Sequence, residues 1–219
     1  MAGAGTGYLA AVMESPTLLL ILGNQLFSPE HLPAPATRVF MAEDLGLCTY
    51  EKHHQQKIVM FLAAMRAYAD ELRDAGYEVV YVPLDPSDTR PYEDKLAVAL
   101  DETGASELVH FEIEDKAMEQ RIIAFADERM IPRTELLSPM FTCTRQDFAA
   151  WNHGRKRPFM QEFYKFQRKR LGILVDADDN PKGGKWSYDA DNRKRLPKKI
   201  VPPEIPWPVP GPHVDNVIS

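Results

Sequence analysis

Apolar positions along this chain follow two alternating periods. The run Leu18 to Leu22 is continuous, strand-sized and halted by Gly23 and Asn24, the pattern of a strand buried on both faces of a parallel sheet. Arg38 to Ala42, Glu78 to Val82, Leu108 to Glu112 and Thr134 to Leu137 are further strand-sized segments. Between them the period lengthens. Lys57 to Ala75 sets Ile58, Phe61, Leu62, Met65, Tyr68, Ala69 and Leu72 on one helical stripe, which Gly76 is placed to close. Tyr92 to Glu102 and Lys116 to Arg129 predict two more helices. Strand and helix in alternation imply βαβ units with right-handed crossovers and an open parallel sheet covered by helices. Ligands in such sheets sit beyond the carboxyl ends of the strands, where the strand order reverses.

After the last strand the pattern changes. Helices are predicted over Arg145 to Trp151 and Arg157 to Leu171, a turn over Pro181 to Gly184, and an extended linker where Val201 to Pro212 holds six prolines. The expected organisation is a disordered start at 1–16, an α/β domain at 17–140, a helical extension and basic arm at 141–200, and a proline-rich tail at 201–219. A linker followed by so little chain suggests a neighbouring domain.

Charge sharpens this division. The 219 residues carry a net −6, yet Arg145 to Ile200 holds 15 Lys and Arg against 7 Asp and Glu, a net of +8, and the remainder 11 against 25, a net of −14. A basic arm on an acidic protein points to a polyanion or an acidic partner. Two cysteines, Cys48 and Cys143, without CxxC or a His/Cys cluster argue against a disulfide framework and against a zinc or iron–sulfur site within this chain. No apolar run reaches membrane-span length and the first residues lack a basic n-region, so no membrane partner and a cytoplasmic protein are expected.

Three strand-end clusters offer chemistry: Gly23-Asn24-Gln25, Glu43-Asp44, and the carboxylates Glu112 and Glu114. Gly23 permits close backbone approach, the amides offer donors and acceptors, and the carboxylates can accept ring N–H or hydroxyl hydrogen bonds. The plain alternative is a turn and solvated acids. Tyr50, His53, His54 and Lys57 gather at the start of the long helix, where a polar or anionic ligand could bind; packed and solvated side chains are the alternative. In the arm, Trp151, Phe159, Phe163, Tyr164, Phe166, Trp186 and Tyr188 interleave with Arg155, Lys156, Arg157, Arg168, Lys169, Arg170, Lys185 and Arg193. That mixture suits nucleic acid, and equally an amphipathic helix with a solvated basic face. GxGxxG, P-loop, GxSxG and HExxH motifs are absent, which disfavours kinases, ATPases, hydrolases and zinc proteases.

As whole strings, LLLILGNQL, YEKHHQQKIVMFLAAMRAYADELRDAGYEVVYV and FAAWNHGRKRPFMQEFYKFQRKRLGILVDADDNPKGGKWSYDADNRK resemble the N-terminal domain of the cryptochrome/photolyase-related proteins typified by the bacterial iron–sulfur (6-4) photolyases. The resemblance covers about Leu18 to Pro197 and is most specific in GRK, M-x-x-F-Y and GGKW-x-Y-D-x-x-N-R. It implies a Rossmann-like three-layer α/β sandwich with roughly five parallel strands, holding the antenna chromophore 6,7-dimethyl-8-ribityllumazine. It further implies FAD and a 4Fe–4S cluster in a separate C-terminal domain, where a reduced flavin repairs a DNA photoproduct.

Carried across by residue, the resemblance implies that Gly23, Asn24, Gln25, Glu43, Asp44, Tyr50, His53, His54 and Lys57 border the lumazine. Asn24 stands where relatives often have aspartate, and Leu47 where the bacterial type has a chromophore-contacting glutamate. Arg193 matches an arginine thought to contact lesion-bearing DNA, and Arg155, Lys156 and Lys185 join it as candidate phosphate contacts. Such a domain without its flavin partner is expected to bind DNA weakly and to lack repair activity. Two other readings remain open: a stand-alone module binding a flavin-like or nucleotide ligand for signalling, and an interaction domain for an acidic partner.

Overall fold

The computed structural model describes residues 16–34, 37–195, 197 and 199–219, so nearly all of the start expected to be disordered lies outside them. Two compact units emerge: residues up to Met140 together with Val209–Ser219, and Phe141–Pro208.

The first unit is an α/β sandwich. Strands β1 (Thr17–Leu20), β2 (Arg38–Ala42), β3 (Val79–Val82), β4 (Glu107–Phe111) and β5 (Arg133–Leu136) form one sheet in the order β3-β2-β1-β4-β5. All neighbours are parallel, with Leu18 opposite Arg38 on one side and Leu108 on the other. Because side chains alternate across a strand, the buried runs feed two cores. Leu19, Ile21, Val39, Met41, Val109 and Phe111 meet helix α2 (Gln55–Asp74) on one face, whereas Leu18, Leu20, Phe40 and Leu108 meet α3 (Tyr92–Thr103) and α4 (Lys116–Glu128) on the other. Right-handed crossovers require this arrangement: β2 to β3 moves outward, while β3 to β4 and β4 to β5 move the opposite way, putting α3 and α4 on the far face.

Local chemistry fixes the termini. Asp44 caps the one-turn helix α1 (Leu45–Thr49) by accepting from Leu47 N, and Asp115 caps α4 by accepting from Met118 N. Gly76, at φ +91° one residue beyond the α2 cap, takes the left-handed conformation that ends the helix. Past the prolines, α8 (Val214–Ile218) packs Val217 against the α2 core, and His213 Nε2 lies 2.7 Å from Asp70 Oδ2.

A titratable group is buried inside the sheet. His110 on β4 is 1% exposed, with Nδ1 2.6 Å from the Phe111 carbonyl and Nε2 2.8 Å from Arg133 Nη1. The guanidinium can only donate, so Nε2 accepts and Nδ1–H donates, which makes the ring neutral. Burial, and then the charge of Arg133, hold its pKa below the ordinary imidazole value. The unfolded chain therefore takes up this proton first as pH falls, and stability is lost from about pH 6.5 downward until the folded-state pKa is passed. Chemical denaturation at pH 7.5 and 5.5 is expected to show His110→Gln with a smaller acid loss than the parent; an equal loss would place the titration elsewhere.

In the second unit, Thr144 and Asp147 form a capping box on α5 (Arg145–Asn152), and Gly172 at φ +65° ends α6 (Met160–Leu171). The helix expected from Arg157 starts at Met160, because Pro158 disfavours helical geometry at the residue before it. Phe148, Trp151, Phe163 and Phe166 stack into one cluster with centroids 4.9–6.3 Å apart. A last short helix, α7, spans Asp189–Asn192.

Candidate functional site

Strand order reverses between β1 and β4, and a cleft of about 650 Å³ opens beyond the carboxyl ends of β1, β2 and β4. That volume is typical of small-molecule sites, and the location is where open α/β sheets bind ligands. Leu47, Ile58, Phe61, Met65, Ile113 and Met118 supply apolar wall; Asn24, Tyr50, His53, Lys57, Arg90 and Arg121 supply polar lining.

Of the residues singled out in the sequence, Gly23, Asn24, Glu43, Asp44, Tyr50, His53, Lys57 and Leu47 line this cleft. Gln25 and His54 do not. Gln25 is fully buried, its Nε2 donating to the Glu112 carbonyl at 2.8 Å and to Glu114 Oε2 at 3.3 Å. His54 is the N-cap of α2, its Nδ1 accepting from Gln56 N at 3.2 Å. Gly23 does allow a close approach, but to the protein itself: a Cβ there would lie 2.8 Å from Met65 Sδ.

The carboxylates are committed rather than solvated. Glu43, 1% exposed, takes Arg66 Nε and Nη2 at 2.7 and 2.9 Å, the Tyr81 hydroxyl at 2.5 Å and Leu84 N at 2.7 Å. Burial by itself raises the Glu43 pKa, but donation from Arg66, Tyr81 and Leu84 outweighs it and holds the carboxyl below its ordinary range. Asp44 receives Lys95 Nζ at 2.7 Å on Oδ2 and Leu47 N at 2.9 Å on Oδ1. Both acids thus fix the cleft's floor and entrance helix, and their capacity to accept from a ligand is largely spent.

Groups with spare capacity lie elsewhere. Tyr50, 69% exposed, meets His53 edge-on with centroids 4.9 Å apart. Lys57 Nζ lies 5.9 Å from the Phe61 ring, and Asn24 Nδ2 reaches Glu114 Oε2 only at 3.5 Å. Cys48 also lines the cleft, but burial and then the charges of Asp44 and Glu43 push its thiol pKa up, which disfavours a thiolate nucleophile.

Sequence reading missed Arg66, Lys95, Tyr92 and Arg121. Lys95 had a signal: it falls on the apolar stripe of α3 with Tyr92, Leu96 and Ala99, where an ammonium is stable only beside a partner. Its Nζ, on a residue 4% exposed, meets Asp44 and the Glu43 carbonyl. Arg121 forks onto Glu93 at 2.6 and 2.7 Å, tying α4 to α3 at the rim.

In the second unit, Arg155, Lys156, Lys185 and Arg193 are exposed. Arg155 stacks over Trp151 at 4.3 Å and donates from Nε to its carbonyl at 2.8 Å, leaving the terminal guanidinium nitrogens outside that bond. Arg168 is different. At 7% exposure it donates to the carbonyls of Ile173, Leu174 and Trp186 and lies against the Tyr164 and Trp186 rings, so it organises the loop after α6 instead of facing a partner.

Among the described residues no helix is long and apolar enough to cross a membrane, and no group of three or more His, Cys, Asp or Glu is placed to hold a metal ion. Comparison with known proteins adds the lineage. The chain is 29% identical over 208 residues to a (6-4) photolyase of Agrobacterium fabrum, a match covering 92% of this chain and 41% of the photolyase. It thus spans about two fifths of that relative's length. It is also 30% identical over 196 residues to an uncharacterised protein of Acanthamoeba polyphaga mimivirus, covering 84% of this chain and 96% of the viral one. A model of the deoxyribodipyrimidine photo-lyase-related protein family matches residues 19–219, nearly the whole sequence, and the chain belongs to that family.

Proposed function

We propose that the chain is the antenna-binding and DNA-facing part of a photolyase-type protein, with its cleft holding 6,7-dimethyl-8-ribityllumazine or a closely related ring. The observation that carries this reading is the cleft at the strand-order reversal, apolar enough to enclose a flat heterocycle and rimmed by polar groups suited to a ribityl chain. Leu47, Phe61, Met65 and Met118 would pack the ring, while Asn24, Tyr50, His53 and Lys57 would meet its polar substituents. Leucine at 47 offers packing only, so recognition falls to the other groups. The bound chromophore would supply light absorption and energy transfer; the chain's own residues orient it and exclude water. A 4Fe–4S cluster would belong to another part of such a protein, since a cluster commonly takes four thiolates and this sequence has two cysteines; the reading assigns FAD to that part as well.

A second reading has its own support. The mimivirus relative is matched over 96% of its length, so a protein of about this extent occurs as a chain by itself. A stand-alone module binding a flavin-like or nucleotide ligand would use the same cleft.

Titration with the lumazine, read by fluorescence anisotropy, is expected to give saturable binding, and Leu47→Trp, which fills the cleft from α1, is expected to weaken it more than tenfold with unchanged circular dichroism. Absence of saturation in the parent overturns the chromophore reading. Equal affinity of parent and Leu47→Trp places the ligand outside the cleft.

A further inference from the structure

The cleft contains a polar group with no answer from the protein. Tyr92 opens α3, is 1% exposed, and packs edge-on against Phe40 with centroids 6.0 Å apart. It lines the cleft, yet its hydroxyl is buried without a hydrogen-bond partner. Three other tyrosines of the unit have acceptors within the protein: Tyr68 donates to the Phe27 carbonyl at 2.6 Å, Tyr77 to the Pro33 carbonyl at 2.8 Å and Tyr81 to Glu43 at 2.5 Å. Four buried side-chain atoms lack partners among the described residues, on Gln25, Tyr92, Asn152 and Gln167, and Tyr92 alone of these lines the cleft. An unpaired buried hydroxyl is a standing cost to a fold. Phenylalanine would fill the same volume without it, so the hydroxyl calls for an acceptor, and the cleft that the residue lines is where one could enter.

We infer that Tyr92 is a specificity-determining residue of the cleft, its hydroxyl donating to an acceptor, a ring carbonyl or an imine nitrogen, on the buried edge of a flat heteroaromatic ligand. The inference rests on the cleft being a chromophore site and adds the polarity that the ligand's inner edge must have. Burial, followed by the charges of Asp44 and Glu93, pushes the Tyr92 phenol far above its ordinary value, so it keeps its proton and serves as a donor. Competition from other donors on the floor is low, since Lys95 is held by Asp44 and Arg121 by Glu93. A ring presenting C–H at that edge would leave the hydroxyl unpaired, and sites that hydrogen-bond their ligand reject analogues lacking the matching group.

Tyr92→Phe isolates this bond because it retains the ring and its packing against Phe40. Parent and variant are melted without ligand, then titrated with 6,7-dimethyl-8-ribityllumazine by anisotropy, with the bound absorption maximum recorded. The variant is expected to melt at the same temperature or a few degrees higher, to bind about ten-fold more weakly, and to show a shifted maximum because the ring has lost a donor. A variant that melts several degrees lower overturns the inference, since the hydroxyl then serves the fold. Equal affinity with an unchanged spectrum overturns it as well and leaves the chromophore reading standing. Failure of the parent to bind the lumazine ends the chromophore reading, and this inference with it.

Discussion

Glu43→Ala is expected to cost the α/β unit about 3–5 kcal/mol, the range for breaking a buried ion pair by removing one partner. The reason is geometric. Both Glu43 oxygens are occupied, by Arg66 and Tyr81 on one and Arg66 and Leu84 on the other, and the carboxylate side chain is fully buried against an arginine side chain 20% exposed. Deleting the acid leaves a guanidinium, a phenol and a backbone N–H without their acceptor. Replacing both ends, Glu43→Leu with Arg66→Leu, removes the charge along with its partner and is expected to cost clearly less than Glu43→Ala. Urea denaturation at pH 7 measures both. A loss below about 1 kcal/mol for Glu43→Ala would show that the network contributes little beyond shape.

The same pair sets an acid limit. The Glu43 carboxyl lies below its ordinary range in the fold, so its contribution is fully present above about pH 4.5, the unfolded value, and is lost as pH falls from there through the lowered folded-state pKa. Glu43→Gln cannot titrate and is expected to start less stable at pH 7 but to lose less between pH 5 and pH 3.

Buried strands and amphipathic helices announce themselves locally, which is why the apolar run from Leu18, the stripe of α2 and the order of elements were all legible in the sequence. Short elements were not. α1 is a single turn held by Asp44, and α8 is five residues whose place depends on α2, far away in the chain; neither carries a long enough period to detect. The site was legible as a location and less so as chemistry. Glu43 and Asp44 stood out as acids at a strand end, but their partners lie 23 and 51 residues further on, at Arg66 and Lys95, and local patterning cannot assign such pairs. What could have been read was the anomaly: an ammonium on the apolar face of α3 demanded a buried acid. Tyr92 gave no such warning, because a tyrosine on an apolar stripe is an ordinary core residue until its hydroxyl is found unpaired.

The proposed DNA-facing role makes its largest claim on salt. Arg155, Lys156, Lys185 and Arg193 are exposed in the second unit, and if each neutralises one phosphate, log affinity falls about 0.9 per contact with log salt. Four contacts then give about a 150-fold loss between about 50 and about 200 mM salt. Arg168 stands outside this count, since its guanidinium is consumed by three carbonyls, and Arg168→Met is expected to loosen the loop after α6 as seen by hydrogen exchange. Among the exposed four, phosphate contacts and lesion contacts separate by substrate. Lys156→Ala is expected to weaken damaged and undamaged duplex alike and to lower the salt slope by about one contact. Arg193→Ala is expected to weaken damaged duplex several-fold more, because a group that reads the lesion carries energy that the undamaged backbone does not. Titrating the parent and both variants against both duplexes at two salt concentrations resolves the two roles. Affinity indifferent to salt would return the arm to a solvated helix face, and equal losses for the two variants would remove lesion reading from Arg193 while leaving its phosphate contact in place.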